Sequence, residues 1–238
     1  MNRLRLAFLL LLSCSGGAAW ADRVPTAMGG GAPENTIYLS KDDKTWQDFP
    51  RKPALGSPVD EADLAITLQM QAARDGRQRR EAFKDKSYSV KLMTDVIDPD
   101  FASKYPDLYR VLLDADNDGD VINTMLKHEN RRLRPYDEHP TLVEPLFFSS
   151  DFSYPSGHAS GMELLARLLG TIFPEAAPRL LTRAREIADS RVVAGVHYAS
   201  DTEAGRALGD LLFARLEANA RFRAALHEAE DKDPIATK

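Results

Sequence analysis

Residues 190–201, Ser-Arg-Val-Val-Ala-Gly-Val-His-Tyr-Ala-Ser-Asp, bring a cation (Arg191), an imidazole (His197) and a carboxylate (Asp201) close together. On a helix, His197 and Asp201 stand at i and i+4, about 40° apart around the axis. A carboxylate so placed can hold one imidazole nitrogen and leave the other free as a nucleophile or base. The same residues have a plainer reading. Ser200 with Glu203 forms a capping-box pattern, in which Asp201 is only a first-turn acid and His197 an ordinary, partly buried histidine.

Two other clusters offer matching chemistry. Lys127 and Arg134 lie seven residues apart, so two helical turns would bring both cations to one face, with Pro135 ending or kinking the segment. A solvated basic helix end explains them equally well, because the residues between them are nearly all polar. In Tyr154-Pro155-Ser156-Gly157-His158, Pro155 and Gly157 shape a tight turn, and Ser156 can cap the amphipathic helix that follows. Amides exposed there form a seat for an anion, with His158 in the first turn. The alternative is that Ser156 merely caps and His158 is exposed.

Taken together, Lys127-x6-Arg134-Pro135, Pro155-Ser156-Gly157-His158 and Ser190-Arg191-x5-His197-x3-Asp201 resemble the three-part signature of the phosphatidic acid phosphatase type 2 superfamily. Ile37-Tyr38-Leu39, Ala54-Leu55-Gly56-Ser57-Pro58 and Arg132-Leu133-Arg134-Pro135-Tyr136 are similar to segments of its bacterial class A non-specific acid phosphatases. One departure is Phe152, where class A members usually carry glycine. It bears on the pocket rim and substrate range rather than on the chemistry.

The resemblance implies an acid phosphatase acting on phosphomonoesters. It makes His197 the nucleophile that forms a phosphohistidine, Asp201 its support, and His158 the general acid and then base. It assigns Lys127, Arg134, Ser156, Gly157 and Arg191 to the phosphoryl oxygens, with no metal or other cofactor. It also implies a homo-oligomer. Geometry adds a condition: an unbroken helix would leave Arg191 and His197 roughly 120° apart, so a turn is expected near Gly195. Activity is expected to peak at mildly acidic pH, where His158 holds a proton while His197 is a free base. A vanadium-dependent haloperoxidase, related in fold and pocket, and a non-catalytic phosphate binder are the competing readings.

The elements that must position these residues read as helices. The 238 residues are 43% hydrophobic and 28% charged, which suits one domain with a sizeable core. Helices are expected over about 57–83, 89–97, 105–113, 118–129, 156–173, 174–190 and 201–230, and no alternating pair of runs marks a hairpin. The expected fold is an all-α, single-domain bundle of the acid phosphatase and vanadium haloperoxidase type, over 57–238. Residues 114–120 open like a calcium loop, but the twelfth position is Met125, so a helix-opening turn is the better reading.

Residues 1–21 have the form of a signal peptide, with Arg3 and Arg5, an apolar run and an Ala19-Trp20-Ala21 cleavage site, and 22–56 read as an extended arm. The protein is therefore expected in the periplasm, with lipoprotein processing at Cys14 as the minor alternative. Cys14 is the single cysteine, so cleavage after Ala21 removes thiol chemistry altogether. A net charge of −5 argues against nucleic acid as a partner. No later window is apolar enough for membrane insertion, and no amphipathic membrane helix offers an approach for lipid phosphates.

Overall fold

The computed structural model describes residues 35–233; the expected leader, Cys14 and the start of the arm lie outside them. The described residues form ten α-helices and two 3-10 turns, with no strand. The all-α expectation is met.

Helix α1 (Pro58–Ala73) starts as its sequence dictates: Ser57 accepts the Asp60 amide at 3.3 Å, Pro58 takes the first turn, and Asp60 and Glu61 face the positive end of the dipole. It stops ten residues short of the expected end, since Asp75 and Gln78 exchange hydrogen bonds of 2.8 and 2.9 Å in a capping box. That box opens α2 (Gly76–Lys84). The helix expected over 89–97 shrinks to the single turn of α3 (Lys91–Thr94), and α4 (Phe101–Lys104) is equally short.

Helix α5 (Pro106–Asn130) runs unbroken through 114–120, where a turn is expected from the sequence. Leu108, Val111, Leu112, Ala115, Ile122 and Leu126 form one buried stripe at helical spacing, and their burial outweighs the turn propensity of the acids. Asp118, which falls in the expected turn, is buried, and its carboxylate accepts the amides of Ile37, Tyr38 and Leu39 at 2.5–2.7 Å. It pins the described part of the arm across α5.

At the end of α5 Arg131 is left-handed (φ 47°), and the chain continues extended to Arg134, the N-cap of α6 (Pro135–Glu138). Lys127 and Arg134 therefore do not share one helix face; the helix ends before Pro135 is reached. Helix α7 (Gly157–Ile172) is capped by Ser156, as expected. A 3-10 turn, Pro174–Ala176, leads into α8 (Ala177–Val193), which is followed by α9 (Ala199–Ala218) and α10 (Ala220–Lys232). The last two replace the single helix expected over 201–230, because the Asn219 side chain accepts the Arg221 and Phe222 amides and starts a new helix.

Helix α7 is the central element. Its Leu164, Leu165, Leu168 and Leu169 are fully buried, in one core with the leucines of α5 and α9 and with Leu180 and Ile187 of α8. Each such side chain contributes about 1.5–3 kcal/mol, so this apolar layer carries the stability on which a polar site can be mounted. Gly205 and Gly209 let α9 touch the α7 backbone. A Cβ on either would lie 2.5 Å from a carbonyl oxygen, Ser156 O and Ser160 O respectively. The N-terminal turn of α7 and the first turns of α9 are thereby held in fixed relation.

Candidate active site

The turn expected at Gly195 is present. Helix α8 closes in a Schellman motif: Gly195 is left-handed (φ 71°), its amide bonds Val192 O at 2.9 Å, and the Val196 amide bonds Arg191 O at 3.2 Å. The reversal leaves Arg191 in the last turn of α8 and His197 just ahead of α9, and both side chains line one cavity of about 170 Å³.

His197 and Asp201 meet, but not as i and i+4 on one helix. His197 precedes the N-cap, Tyr198, and Asp201 sits in the first turn, reaching back to accept the Tyr198 amide at 2.8 Å. The same oxygen faces His197 Nδ1 at 3.4 Å. Asp201 is thus a capping acid and a histidine partner at once. Ser200 is not the cap; its hydroxyl donates to Asp63.

On the other side of the ring, Arg134 Nη1 lies 3.1 Å from His197 Nε2. Arginine can only donate, so Nε2 presents its lone pair and the ring proton belongs on Nδ1, toward Asp201 and Ser153 Oγ. Burial, then the charges of Arg134, Lys127 and Arg191, hold His197 well below the ordinary histidine range. It is a neutral base whose unprotonated nitrogen is turned to a cationic wall.

That wall is Lys127, Arg134 and Arg191, each buried and each lining the cavity. Burial and the neighbouring Arg134 lower Lys127 to about 8 and Arg191 to about 9. Arg134 is aimed by three carbonyls: its Nε donates to Asp151 O and its Nη1 to Val196 O, both at 2.7 Å, and its Nη2 to Phe152 O. Arg191 donates to Asp85 O at 3.2 Å and lies over the Phe147 ring, yet its buried Nε has no partner. The buried Nε2 of His158 has none either. Burial and then Arg191 push His158 down to about 3, against a backbone hydrogen bond at Lys86. Three concentrated cations and two unpartnered buried nitrogens fit a polyanionic ligand whose charge would offset the cost of burying them.

Gly157 and His158 line the cavity at the start of α7, whereas Ser156 stands behind it. The Ser156 hydroxyl accepts the Ala159 amide and its own amide donates to Asp201 O at 2.9 Å, tying the α7 turn to the α9 turn. Phe152 packs edge-on against His128 and supplies its carbonyl to Lys127 and Arg134. Among the described residues no group of three His, Cys, Asp or Glu side chains is placed to hold a metal ion.

Sequence reasoning missed what stands behind Asp201. Arg132, buried, gives Nη1 to Asp201 Oδ1 at 2.8 Å and Nη2 to Asp63 and Asp60 at 2.9 and 3.1 Å, and lies over the Tyr198 ring. Burial pulls its pKa down, but Asp201 and Asp63 more than reverse this and leave it raised. The Ser153 hydroxyl donates to the other Asp201 oxygen. No local pattern marks this group: Asp63 and Thr67 are polar, and only the fold shows that they occupy the buried face of α1. Tyr88, Asn123, Asp120 and Asp151 also line the cavity and belong to none of the three motifs.

Residues 115–222 match the PAP2 superfamily. The chain is 29% identical over 204 residues to a non-specific acid phosphatase of Salmonella typhi, covering 80% of this chain and 82% of that protein. Two solved structures share the fold: a transmembrane PAP2-type phosphatidylglycerolphosphate phosphatase from Bacillus subtilis (TM-score 0.53, 20% identity, 77% of this chain and 91% of that one). The other is a bacterial vanadium-dependent iodoperoxidase (TM-score 0.58, 16% identity, 71% and 51%). No helix among the described residues is long and apolar enough to cross a membrane.

Proposed function

Residues 115–222 are a PAP2 superfamily domain, and on that premise we propose that the chain is an acid phosphatase that hydrolyses phosphomonoesters through a phosphohistidine on His197. The observation that carries this reading is the 3.1 Å approach of Arg134 Nη1 to His197 Nε2, which assigns the ring's lone pair to Nε2, in a cavity that Lys127, Arg134 and Arg191 also line.

The phosphoryl oxygens take the Arg134 donors away from Nε2, freeing the lone pair. Nε2 attacks phosphorus, the bond to the ester oxygen breaks, and His158 gives its proton to the departing alcohol. Asp201 stabilises the imidazolium-like ring through Nδ1. His158, now neutral, takes a proton from water as the water oxygen attacks phosphorus; the P–N bond breaks and orthophosphate leaves. Burial, then Arg191, Arg134 and Lys127, disfavour a proton on His158, so it gains one when the phosphoryl dianion offsets those cations. Lys127, Arg134 and Arg191 supply the charge stabilisation that phosphoryl transfer needs, and the reaction is therefore proposed to require no metal.

Turnover of p-nitrophenyl phosphate in EDTA, beside bromide oxidation with vanadate and peroxide, tests this reading against the haloperoxidase one. Hydrolysis that survives EDTA without bromide oxidation supports it. Hydrolysis abolished by EDTA contradicts the metal-free mechanism; tight phosphate binding without turnover contradicts the enzyme.

Export is part of the proposal, supported by the form of residues 1–21, and a mature N-terminus at Asp22 in the periplasmic fraction would establish it. Homo-oligomerisation, supported by the likeness to class A enzymes, is read directly by light scattering.

A further inference from the structure

We infer that Tyr88 is the specificity-determining residue of this site, its ring forming the wall against which the leaving alcohol lies, and that the site favours alcohols presenting an aromatic face. The inference rests on the phosphatase reading above. In an in-line displacement the nucleophile and the leaving oxygen occupy opposite sides of phosphorus. With His197 on one side, the proton donor His158 marks the other, and whatever packs on His158 along the cavity borders the leaving group.

That residue is Tyr88, from the segment between α2 and α3. Its ring stands edge-on to His158, centroids 5.3 Å apart at 89°, and it lines the same cavity. The residue is 36% exposed and lines the cavity, so an incoming molecule can reach it.

Two further contacts fix the ring in place. The hydroxyl donates to Asp116 on α5, and it rests against Gly161 on α7, one turn beyond His158. A Cβ on Gly161 would overlap that hydroxyl, so the glycine is the space the tyrosine needs. Anchored from two helices, the ring loses little freedom when a ligand arrives, which is what a selective wall requires. An aromatic leaving group gains an aromatic contact there, and an alkyl group does not.

The test uses the full-length protein and two matched ligand pairs: phenyl and methyl phosphate as substrates, phenyl- and methylphosphonate as inhibitors. Comparing ratios between variants cancels the intrinsic reactivity of each ester. Tyr88→Ala removes the ring, and Gly161→Ala displaces it without altering it. Both are expected to lower the phenyl-over-methyl ratio, in kcat/KM and in inhibition, by about three- to tenfold, the worth of one aromatic contact. Tyr88→Phe keeps the ring and should lie between. Inhibition by orthophosphate, which has no leaving group, should change less than about twofold. Unchanged ratios in Tyr88→Ala overturn the inference, as does a loss of orthophosphate binding in proportion to that of phenylphosphonate. If wild type turns over neither ester but the phosphonate ratios shift as stated, the phosphatase reading fails and the aromatic wall stands. Turnover with unmoved ratios gives the converse.

Discussion

Arg132 Nη1 lies 2.8 Å from one oxygen of Asp201, whose other oxygen faces His197 Nδ1 at 3.4 Å. The guanidinium thus aims the carboxylate that aims the imidazole, from the side of Asp201 away from the ring. Replacing it leaves Asp201 and Asp63 buried without their cation. Arg132→Met should cost about 3–5 kcal/mol of stability in urea unfolding. Arg132→Lys, which keeps the charge but loses the fork, should lower kcat more than it raises KM. Wild-type kcat in both variants would mean that Asp201 needs no such support.

Phosphate binding should weaken as pH rises through the Lys127 titration. Lys127 is charged below about 8 and neutral above it. Sulfate, whose own charge is constant, is the suitable probe: its inhibition constant should be flat below about pH 8 and rise beyond. Lys127→Arg should move that rise to higher pH. A constant inhibition across pH 7–10 in wild type would contradict the assignment.

Activity should be greatest on the acidic side of neutrality, because His158 must arrive protonated at the leaving oxygen while His197 stays a free base. His158→Ala should lose about 10²–10⁴-fold in kcat toward alkyl phosphates, and less toward p-nitrophenyl phosphate, whose leaving group needs little protonation. A wild-type rate still climbing above pH 8 would oppose this role.

The two histidines should make stability fall with acid for a related reason, against the opposite contribution of Asp116, which burial raises to about 7. His158 and His197 both titrate lower in the folded chain than the usual 6.5. Below that pH the unfolded chain takes up protons that the folded chain refuses, so stability is lost as pH falls through 6.5; the His158 share stops falling near about 3. Above 6.5 neither matters. Melting temperatures from pH 8 to 5 should drop less in His158→Gln than in wild type, and sulfate should restore part of the drop.

Gly205→Ala should destabilise by about 1–3 kcal/mol, because its Cβ would lie 2.5 Å from Ser156 O. The shift reaches the turn carrying Gly157 and His158, so kcat should fall as well. Gly76→Ala, whose Cβ would meet only Arg80 Nη1 at 3.5 Å, is the control and should change neither.

How far the sequence reaches depends on the range of each interaction. The three clusters were legible because their chemistry lies in residue type and short spacing, and the turn at Gly195 because only a reversal lets Arg191 and His197 face one ligand. Arg132 was hidden because its partners, Asp63 and Asp201, are each 69 residues away. The continuity of α5 was hidden for the same reason. Asp118 resembles a turn former until the arm amides it accepts, 79–81 residues distant, are seen. Tyr88 carries no local signal at all; its meaning comes from His158, Asp116 and Gly161 converging on it.

The central claim is that His197 Nε2 carries the phosphoryl group between alcohol and water. Acid-sensitive phosphoramidates survive rapid denaturation at high pH, so turnover of a 32P-labelled monoester should be quenched in alkali and the label mapped by peptide mass. The account predicts one labelled histidine, His197, in wild type, and no label in His197→Ala. Label persisting in His197→Ala, or found on another side chain, would contradict it.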